Sequence, residues 1–172
     1  MKLEKISPAD FDGIYDEMER AFPLAERRDR EAARALLENE RYTVYHIEND
    51  GKRVGFLTAW ALEGFTFLEH FVVYPAYRNA GLGGKTMALA QKQLGTLLLE
   101  CEPPEAEMAA RRLAFYKRCG FVQNDIPYVQ PAYRESDEDV PLVLMSYPIA
   151  LTSPKDTVRE VYAKVYHKEY LP

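Results

Sequence analysis

The nine residues Tyr77 to Lys85, YRNAGLGGK, form a glycine-rich turn between two apolar segments. The preceding segment, Phe67 to Tyr74, has the composition of a buried strand, and the following one, Met87 to Leu94, has helical spacing. A helix start leaves its first backbone N–H groups unpaired and carries partial positive charge, so a phosphate can bind there when no side chain obstructs it. Glycines give that access, and the chain is therefore predicted to fold around a strand, a phosphate-binding turn and a helix.

The order Arg-x-x-Gly-x-Gly, from Arg78 to Gly83, resembles the pyrophosphate-binding signature of the GNAT superfamily of acyl-CoA-dependent N-acetyltransferases. Two further segments are similar to the family pattern: Phe67 to Pro75 resembles its central strand, and Phe115 to Phe121 resembles its Tyr-x-x-x-Gly-Phe helix ending. At Ala109 the family often has an asparagine, so the resemblance carries no cofactor contact over to that position. The family resemblance implies an enzyme that transfers the acetyl group of acetyl-CoA to a primary amine of a small molecule or peptide.

The resemblance also implies catalytic and cofactor-binding residues. A lysine-like amine has a pKa of about 10.4, so only about one molecule in 2,500 is neutral at pH 7 and a proton acceptor is needed. Glu69 is the expected acceptor, with His70 as the alternative, because strand alternation predicts the two side chains on opposite faces. Tyr116 is expected to protonate the departing thiolate. The expected cofactor-binding residues are Phe71, Val72, Val73, Arg78, Asn79, Ala80, Gly81, Leu82, Gly83, Gly84 and Lys85.

Two other functions fit the same glycines. Residues 79–86 differ from the Gly-x-x-x-x-Gly-Lys-Ser/Thr phosphate loop of nucleotide hydrolases only at Asn79, and Glu100 would then be the candidate magnesium-binding acid. That function predicts binding of ATP with magnesium. The other alternative is a GNAT-like module that binds acyl-CoA without turnover, in which removal of Glu69 or Tyr116 has no effect.

The family resemblance places the acceptor amine between the first two helices and a late hairpin. The side chains expected there are aromatic or charged, and the paired arginines could also select a carboxylate or phosphate on the substrate. The sequence leaves the amine unidentified. These residues are Tyr15, Phe22, Glu26, Arg27 and Arg28, with Tyr128 and Tyr133 opposite.

Size and patterning predict one domain over residues 1–172, because 172 residues with 47% hydrophobic content can bury one core. The predicted class is α+β: a GNAT-like mixed, mostly antiparallel central sheet with helices on both faces. Residues 151–172 are predicted to add a C-terminal amphipathic helix that packs back on the domain. The other predicted elements are helices after Ser7 and over 29–39 and 105–118, a hairpin of 42–47 with 53–60, and strands at 96–101, 121–122 and 142–147.

Charge and cysteine content exclude several other classes. The net charge of −5 and the pI near 5.3 provide no basic surface, so nucleic acid is not an expected partner. Two cysteines and three scattered histidines indicate no metal site. No segment has the length of a signal peptide or membrane span, so a cytoplasmic location without a membrane partner is expected. A homodimer is an expectation from the family alone.

Overall fold

The computed structural model describes residues 1–170. Within these residues, nine strands and five α-helices follow one another, with short 3-10 turns between several of them. The strands are β1 (Lys2–Lys5), β2 (Tyr42–Asn49), β3 (Lys52–Leu62), β4 (Phe65–Val73), β5 (Leu97–Cys101), β6 (Val122–Gln123), β7 (Val129–Gln130), β8 (Val140–Pro141) and β9 (Val143–Tyr147). The helices are α1 (Phe11–Ala21), α2 (Arg30–Ala35), α3 (Leu82–Leu94), α4 (Glu107–Arg118) and α5 (Pro154–Val161).

Seven of the strands form one sheet in the order β1-β2-β3-β4-β5-β9-β6, while β7 and β8 form a small separate hairpin. Every neighbouring pair in the large sheet is antiparallel except β4 and β5, which are parallel. The parallel pair is possible because α3 carries the chain back across the sheet between them. The predicted mixed, mostly antiparallel sheet is confirmed.

Helices cover both faces of the sheet, as predicted. On the first face, α1, α2 and α5 pack against a cluster that includes Trp60 and Phe67. On the second face, α3 and α4 pack against a cluster that includes Leu57 and Leu68. Val158 and Val161 of α5 are buried in the first cluster, so the C-terminal helix packs on this chain, as its spacing predicts.

Some elements were not visible in the sequence. Three strands are too short to show the apolar alternation that marks a half-buried strand, namely β1, β7 and β8. β1 is also mostly exposed. The second helix is also shorter than predicted, because α2 ends at Ala35 and continues only as a 3-10 turn to Glu38. The Ser7 cap precedes a 3-10 turn, Pro8–Asp10, that leads directly into α1.

A β-bulge interrupts the pairing of β3 with β4 at Glu69. Thr58 lies opposite His70 and Ala59 lies opposite Leu68, so Glu69 has no partner residue on β3. The extra residue breaks the alternation of side chains, and Glu69 and His70 therefore point to the same face. Their neighbours show this, because Glu69 bonds to Trp60 and His70 bonds to Thr58, two residues apart on β3. The prediction of opposite faces was wrong for this reason.

β4 and β5 pair over three residues only. Thr66, Phe67 and Leu68 lie opposite Leu97, Leu98 and Leu99, and the pairing ends there. β4 continues to Val73 without a partner on that side, while β5 continues beside β9. The two strands thus separate immediately after Leu68 and Leu99, and the first residues beyond the junction are Glu69 and Glu100.

Candidate active site

The separation of β4 from β5 opens into a cleft of about 720 Å³. One end is formed by the glycine-rich turn and the start of α3, and the other by the segment between α1 and α2. The outer wall comes from α4, including Arg112 and Tyr116. Nine of the predicted cofactor-binding residues line this cleft, whereas Ala80 and Lys85 lie outside its described lining. The nine are Phe71, Val72, Val73, Arg78, Asn79, Gly81, Leu82, Gly83 and Gly84.

The turn itself has the backbone geometry of an anion site. Asn79 and Gly81 both have positive φ, at 64° and 71°, and Gly81 is the residue that precedes α3. The chain therefore turns sharply enough to present the unpaired N–H groups of the first helical turn to the cleft. Arg78 is anchored by a bond from its Nε to the Val73 carbonyl, 3.1 Å away, and its guanidinium lies at the cleft.

The glycines of the turn have more than one function. A Cβ at Gly83 would lie 3.3 Å from the Phe115 ring, so this glycine permits α3 to pack closely on α4. A Cβ at Gly84 would meet nothing within 4 Å, which leaves open space beside the helix start. Clearance for a phosphate thus explains Gly84 better than it explains Gly83.

Thr86 gives evidence on the phosphate-loop alternative. Its side chain is buried, and its hydroxyl donates to the Leu82 carbonyl at 2.8 Å within α3. A phosphate loop needs this hydroxyl for magnesium. The hydroxyl is instead used inside the helix, and this geometry counts against a nucleotide hydrolase.

Glu69 is held in a buried polar network. Its side chain is 1% exposed and forms an ion pair with Arg28, which is 11% exposed. Trp60 Nε1 donates to it at 2.9 Å and the Tyr133 hydroxyl at 2.8 Å. Burial alone would raise the pKa of Glu69, but the Arg28 charge, together with the bonds from Trp60 and Arg28, lowers it below its ordinary value. The group is therefore ionised and fully engaged, and it is a weak proton acceptor.

His70 is also occupied at both ring nitrogens. Nε2 lies 3.1 Å from the Glu26 carbonyl, and Nδ1 lies 3.2 Å from the Thr58 hydroxyl. A carbonyl only accepts, so we assign the ring proton to Nε2. Burial lowers the pKa of His70 despite the nearby Glu69 charge, which keeps the ring neutral.

Glu100, the matching residue on β5, has a different environment. The Tyr166 hydroxyl lies 2.9 Å from Oε1 and 2.7 Å from Oε2, and the Tyr128 hydroxyl also donates to Oε1. Burial raises the pKa of Glu100 to about 7; the two tyrosine bonds oppose this rise, and the charges of Glu69 and Glu26 add to it. The group lines the cleft and changes protonation near neutral pH.

From the sequence, Glu100 was a candidate only as the magnesium ligand of a phosphate-loop protein. The signal that would have identified it is a single acidic residue inside the apolar strand Leu97–Cys101. Acidic side chains are rarely buried without a partner, and a buried acid with a shifted pKa is a candidate functional residue. The tyrosines that contact it are 28 and 66 residues away, and no local pattern connects them to it.

Tyr116 lies on the α4 wall of the cleft, where the sequence places it. Its ring packs edge-on against Phe115 and Phe121, with centroids 5.1 and 5.7 Å away. Burial raises its pKa above the ordinary value, so the phenol keeps its proton at neutral pH.

The residues expected at the acceptor end divide into two groups. Phe22, Glu26 and Tyr133 line the cleft. The other side chains are engaged within the protein, because Arg28 pairs with Glu69 and Arg27 donates to the Tyr15 hydroxyl at 2.8 Å. The paired arginines therefore do not present free charge to a substrate.

The acceptor end is closed by contacts between two loops. Gln130 Nε2 donates to the Ala25 carbonyl at 3.1 Å, and Arg134 donates to the Arg27 carbonyl at 3.1 Å and to the Leu24 carbonyl. These bonds tie residues 130–134 to the segment between α1 and α2. The two loops thus border the acceptor end of the cleft together.

Residues 1–170 include no helix that is long and apolar enough to span a membrane. They also include no group of three or more His, Cys, Asp or Glu side chains arranged to bind a metal ion.

The known proteins that this chain resembles are described as acetyltransferases. Residues 38–123, half of the chain, match the family model of the acetyltransferase (GNAT) domain. A "Putative acetyltransferase from GNAT family" of Bacteroides thetaiotaomicron is 31% identical, with a TM-score of 0.89 over 96% of this chain and 98% of that one. A dodecameric spermidine N-acetyltransferase from Vibrio cholerae is 12% identical, with a TM-score of 0.58 over 88% of this chain and 94% of that one, which is a likeness of fold.

A curated relative from Bacillus subtilis, "Putative acetyltransferase YjbC", is 33% identical over 106 residues. The match covers 60% of this chain and 54% of that protein, so the chain spans about half the length of this relative.

Proposed function

Because this chain belongs to the GNAT family of acetyltransferases, we propose that it transfers the acetyl group of acetyl-CoA to the primary amine of a small, positively charged molecule. The observation that carries the proposal is the cleft between β4 and β5, which joins a phosphate-binding turn to a carboxylate of near-neutral pKa. We also propose that residues 1–172 form a single domain. Cytoplasmic location and a homodimer stay predictions.

The described residues fit acetyl-CoA. The positive φ of Gly81, the N–H groups at the start of α3 and the nearby Arg78 suit a pyrophosphate. The backbone of β4 from Phe71 to Val73 has no strand partner on its cleft side, so it can bond to the amide groups of a pantetheine arm. When bound, acetyl-CoA supplies an activated acetyl thioester.

Glu100 is the proton acceptor that we favour. An ammonium must lose a proton before its nitrogen can attack, and a carboxylate with a pKa of about 7 is well matched to that step at neutral pH. The contacts of Glu69 give it another function: it compensates the buried Arg28 charge. Glu69 as the base remains a prediction that the variants described below can test.

The leaving sulfur needs a proton, and Tyr116 supplies it in this proposal. Its phenol lines the cleft and is protonated at neutral pH because burial raises its pKa. A backbone N–H of β4 beyond the junction would stabilise the oxyanion that develops on the thioester carbonyl.

The charge of the acceptor end favours a cationic substrate. Glu26 lines the cleft and forms no ion pair with any residue of the described chain, 1–170. Burial raises the pKa of Glu26, the nearby Glu102 adds to the rise and Arg112 opposes it. A second ammonium on the substrate would favour the ionised form of Glu26 and pair with it. The bonds from Gln130 and Arg134 connect two loops at this end of the cleft, which favours a small amine over a long peptide.

The first test is ligand binding by the purified chain. Acetyl-CoA should raise its melting temperature, because a ligand at 100 times its Kd adds about 2.7 kcal/mol of stability, whereas ATP with magnesium should not. Arg78→Ala should weaken acetyl-CoA binding, with Arg41→Ala, distant in sequence from the turn, as a matched control. A shift with ATP and magnesium alone would overturn the proposal.

The second test is acetyl transfer to a panel of amines, followed by mass spectrometry. Diamines should be better substrates than monoamines, amino acids or peptides, and Glu26→Gln should raise the KM for a diamine about tenfold, equivalent to 1.4 kcal/mol. Binding of acetyl-CoA without transfer to any amine would favour the module without turnover.

A further inference from the structure

The C-terminal helix reaches the candidate active site. After α5 the chain continues through one π-helical turn, Tyr162–Tyr166, an irregularity often found at functional sites. This turn places the Tyr166 hydroxyl within 2.9 Å of both Glu100 oxygens. It also places the Val165 carbonyl where Arg28 donates to it. One turn of helix thus contacts Glu100 of β5 and also Arg28, the ion-pair partner of Glu69 on β4.

The bonds from tyrosine are specific to the Glu100 carboxyl. Tyr166 is buried, and its ring packs on Tyr133 at a centroid distance of 5.2 Å, which fixes the direction of its hydroxyl. Tyr162, one helical turn earlier, directs its hydroxyl to the Val129 carbonyl instead. The two hydroxyls of this turn therefore have different partners, and that of Tyr166 is the one that bonds to Glu100.

We propose that the C-terminal helix is part of the catalytic site, with Tyr166 and Tyr128 as positioning residues that orient the Glu100 carboxylate and stabilise its ionised form. Each phenol donates a hydrogen bond to an oxygen that can carry negative charge, and such bonds favour the charged state. The carboxylate then faces the cleft in one orientation. This inference deepens the proposed function and rests on it.

The other ionisable groups around Glu100 come from four neighbouring segments. The carboxylates disfavour ionisation of Glu100, while Arg28 is already paired with Glu69 and offsets that charge. The groups are Glu69 on β4, Glu26 and Arg28 between α1 and α2, Tyr128 and Tyr133 around β7, and Tyr162 beside Tyr166 in the tail.

The test compares Tyr166→Phe with Tyr162→Phe, since each removes one hydroxyl from the same turn of helix. Carboxyl ¹³C NMR of the full chain would follow the titration of Glu100, whose signal is identified by its loss in Glu100→Gln. Tyr166→Phe should raise the titration midpoint by about one pH unit, because a bond to the charged form is lost. The acid limb of kcat/KM should move by the same amount, and Tyr162→Phe should leave both unchanged.

A Glu100 midpoint in folded Tyr166→Phe that matches the unaltered protein would overturn the inference, whatever the activity. If Tyr166→Phe does not fold, Tyr128→Phe provides the same test with the same expected direction. A raised midpoint supports the positioning function of the tyrosines. The absence of acetyl transfer by the unaltered protein would overturn the proposed function separately.

Discussion

The two edges of the β4–β5 junction carry the same functional group in opposite environments. Glu69 and Glu100 each follow the last paired residue of their strand, and both carboxyls are largely enclosed by protein. Glu69 faces a buried cation, whereas Glu100 faces two phenols. The pKa is lowered for the first and raised to about 7 for the second.

This difference indicates a structural function for Glu69 and a catalytic one for Glu100. A group that is always ionised can compensate a buried charge, and a group that titrates near pH 7 can exchange protons during a reaction. The comparison teaches that position on the central strand is insufficient to identify the base, because the partners of the carboxyl decide what it can do.

The largest expected effect comes from Glu100→Gln. Loss of the proton acceptor should lower kcat about 10²- to 10⁴-fold, while the amide keeps the size of the side chain and the fold. Steady-state kinetics at pH 8 with the best amine, together with acetyl-CoA binding, would measure this. Unchanged kcat in Glu100→Gln would reverse the comparison between the two carboxylates.

The second prediction concerns Glu69→Gln. The substitution leaves the Arg28 charge buried without its partner, and we expect the free energy of unfolding in urea to fall by about 3–5 kcal/mol. Glu17→Gln breaks the exposed pair with Arg20 and should cost less than about 0.5 kcal/mol. If Glu69→Gln were as stable as the unaltered protein but catalytically inactive, Glu69 would be the base after all.

The smallest effect is a difference in how stability depends on pH. The pKa of Glu100 rises from 4.5 to about 7 on folding, so its contribution to stability should fall as pH rises from 4.5 to 7 and stay constant above. The pKa of Glu69 falls on folding, so its contribution is present above 4.5 and lost as pH falls through the folded value. The measurement is the free energy of unfolding in urea at pH 5 and at pH 8, for the unaltered protein and for Glu100→Gln. From pH 5 to pH 8 this free energy should fall further in the unaltered protein than in the variant, by on the order of 2 kcal/mol. Parallel curves would contradict this.

The sequence predicted the parts of the site that depend on neighbouring residues. The glycine turn, the strand before it and the helix after it are local, and their geometry follows from residues 67–94. The predicted fold class and the C-terminal helix were confirmed for the same reason, since their apolar periodicity is continuous along the chain.

The parts that could not be predicted depend on contacts between distant segments. The bond between Glu100 and Tyr166 joins residues 66 positions apart, and the Arg28 pair with Glu69 joins residues 41 apart. Both contacts depend on how the C-terminal helix and the segment after α1 pack on the sheet. The spacing of residues along the sequence does not indicate this packing. Arg27 and Arg28 were expected to line the acceptor end, because the sequence does not show that their side chains bond within the protein.

The bulge at Glu69 also affects how the sequences of relatives should be aligned. A protein that lacked this one residue could keep the pairing of β3 with β4 and keep every later side chain of β4 on its present face, because His70 would still lie opposite Thr58. An alignment with a single-residue gap at this point would thus match side chains that share a face. Without the gap, the same alignment would compare side chains that face the cleft with side chains that face the core.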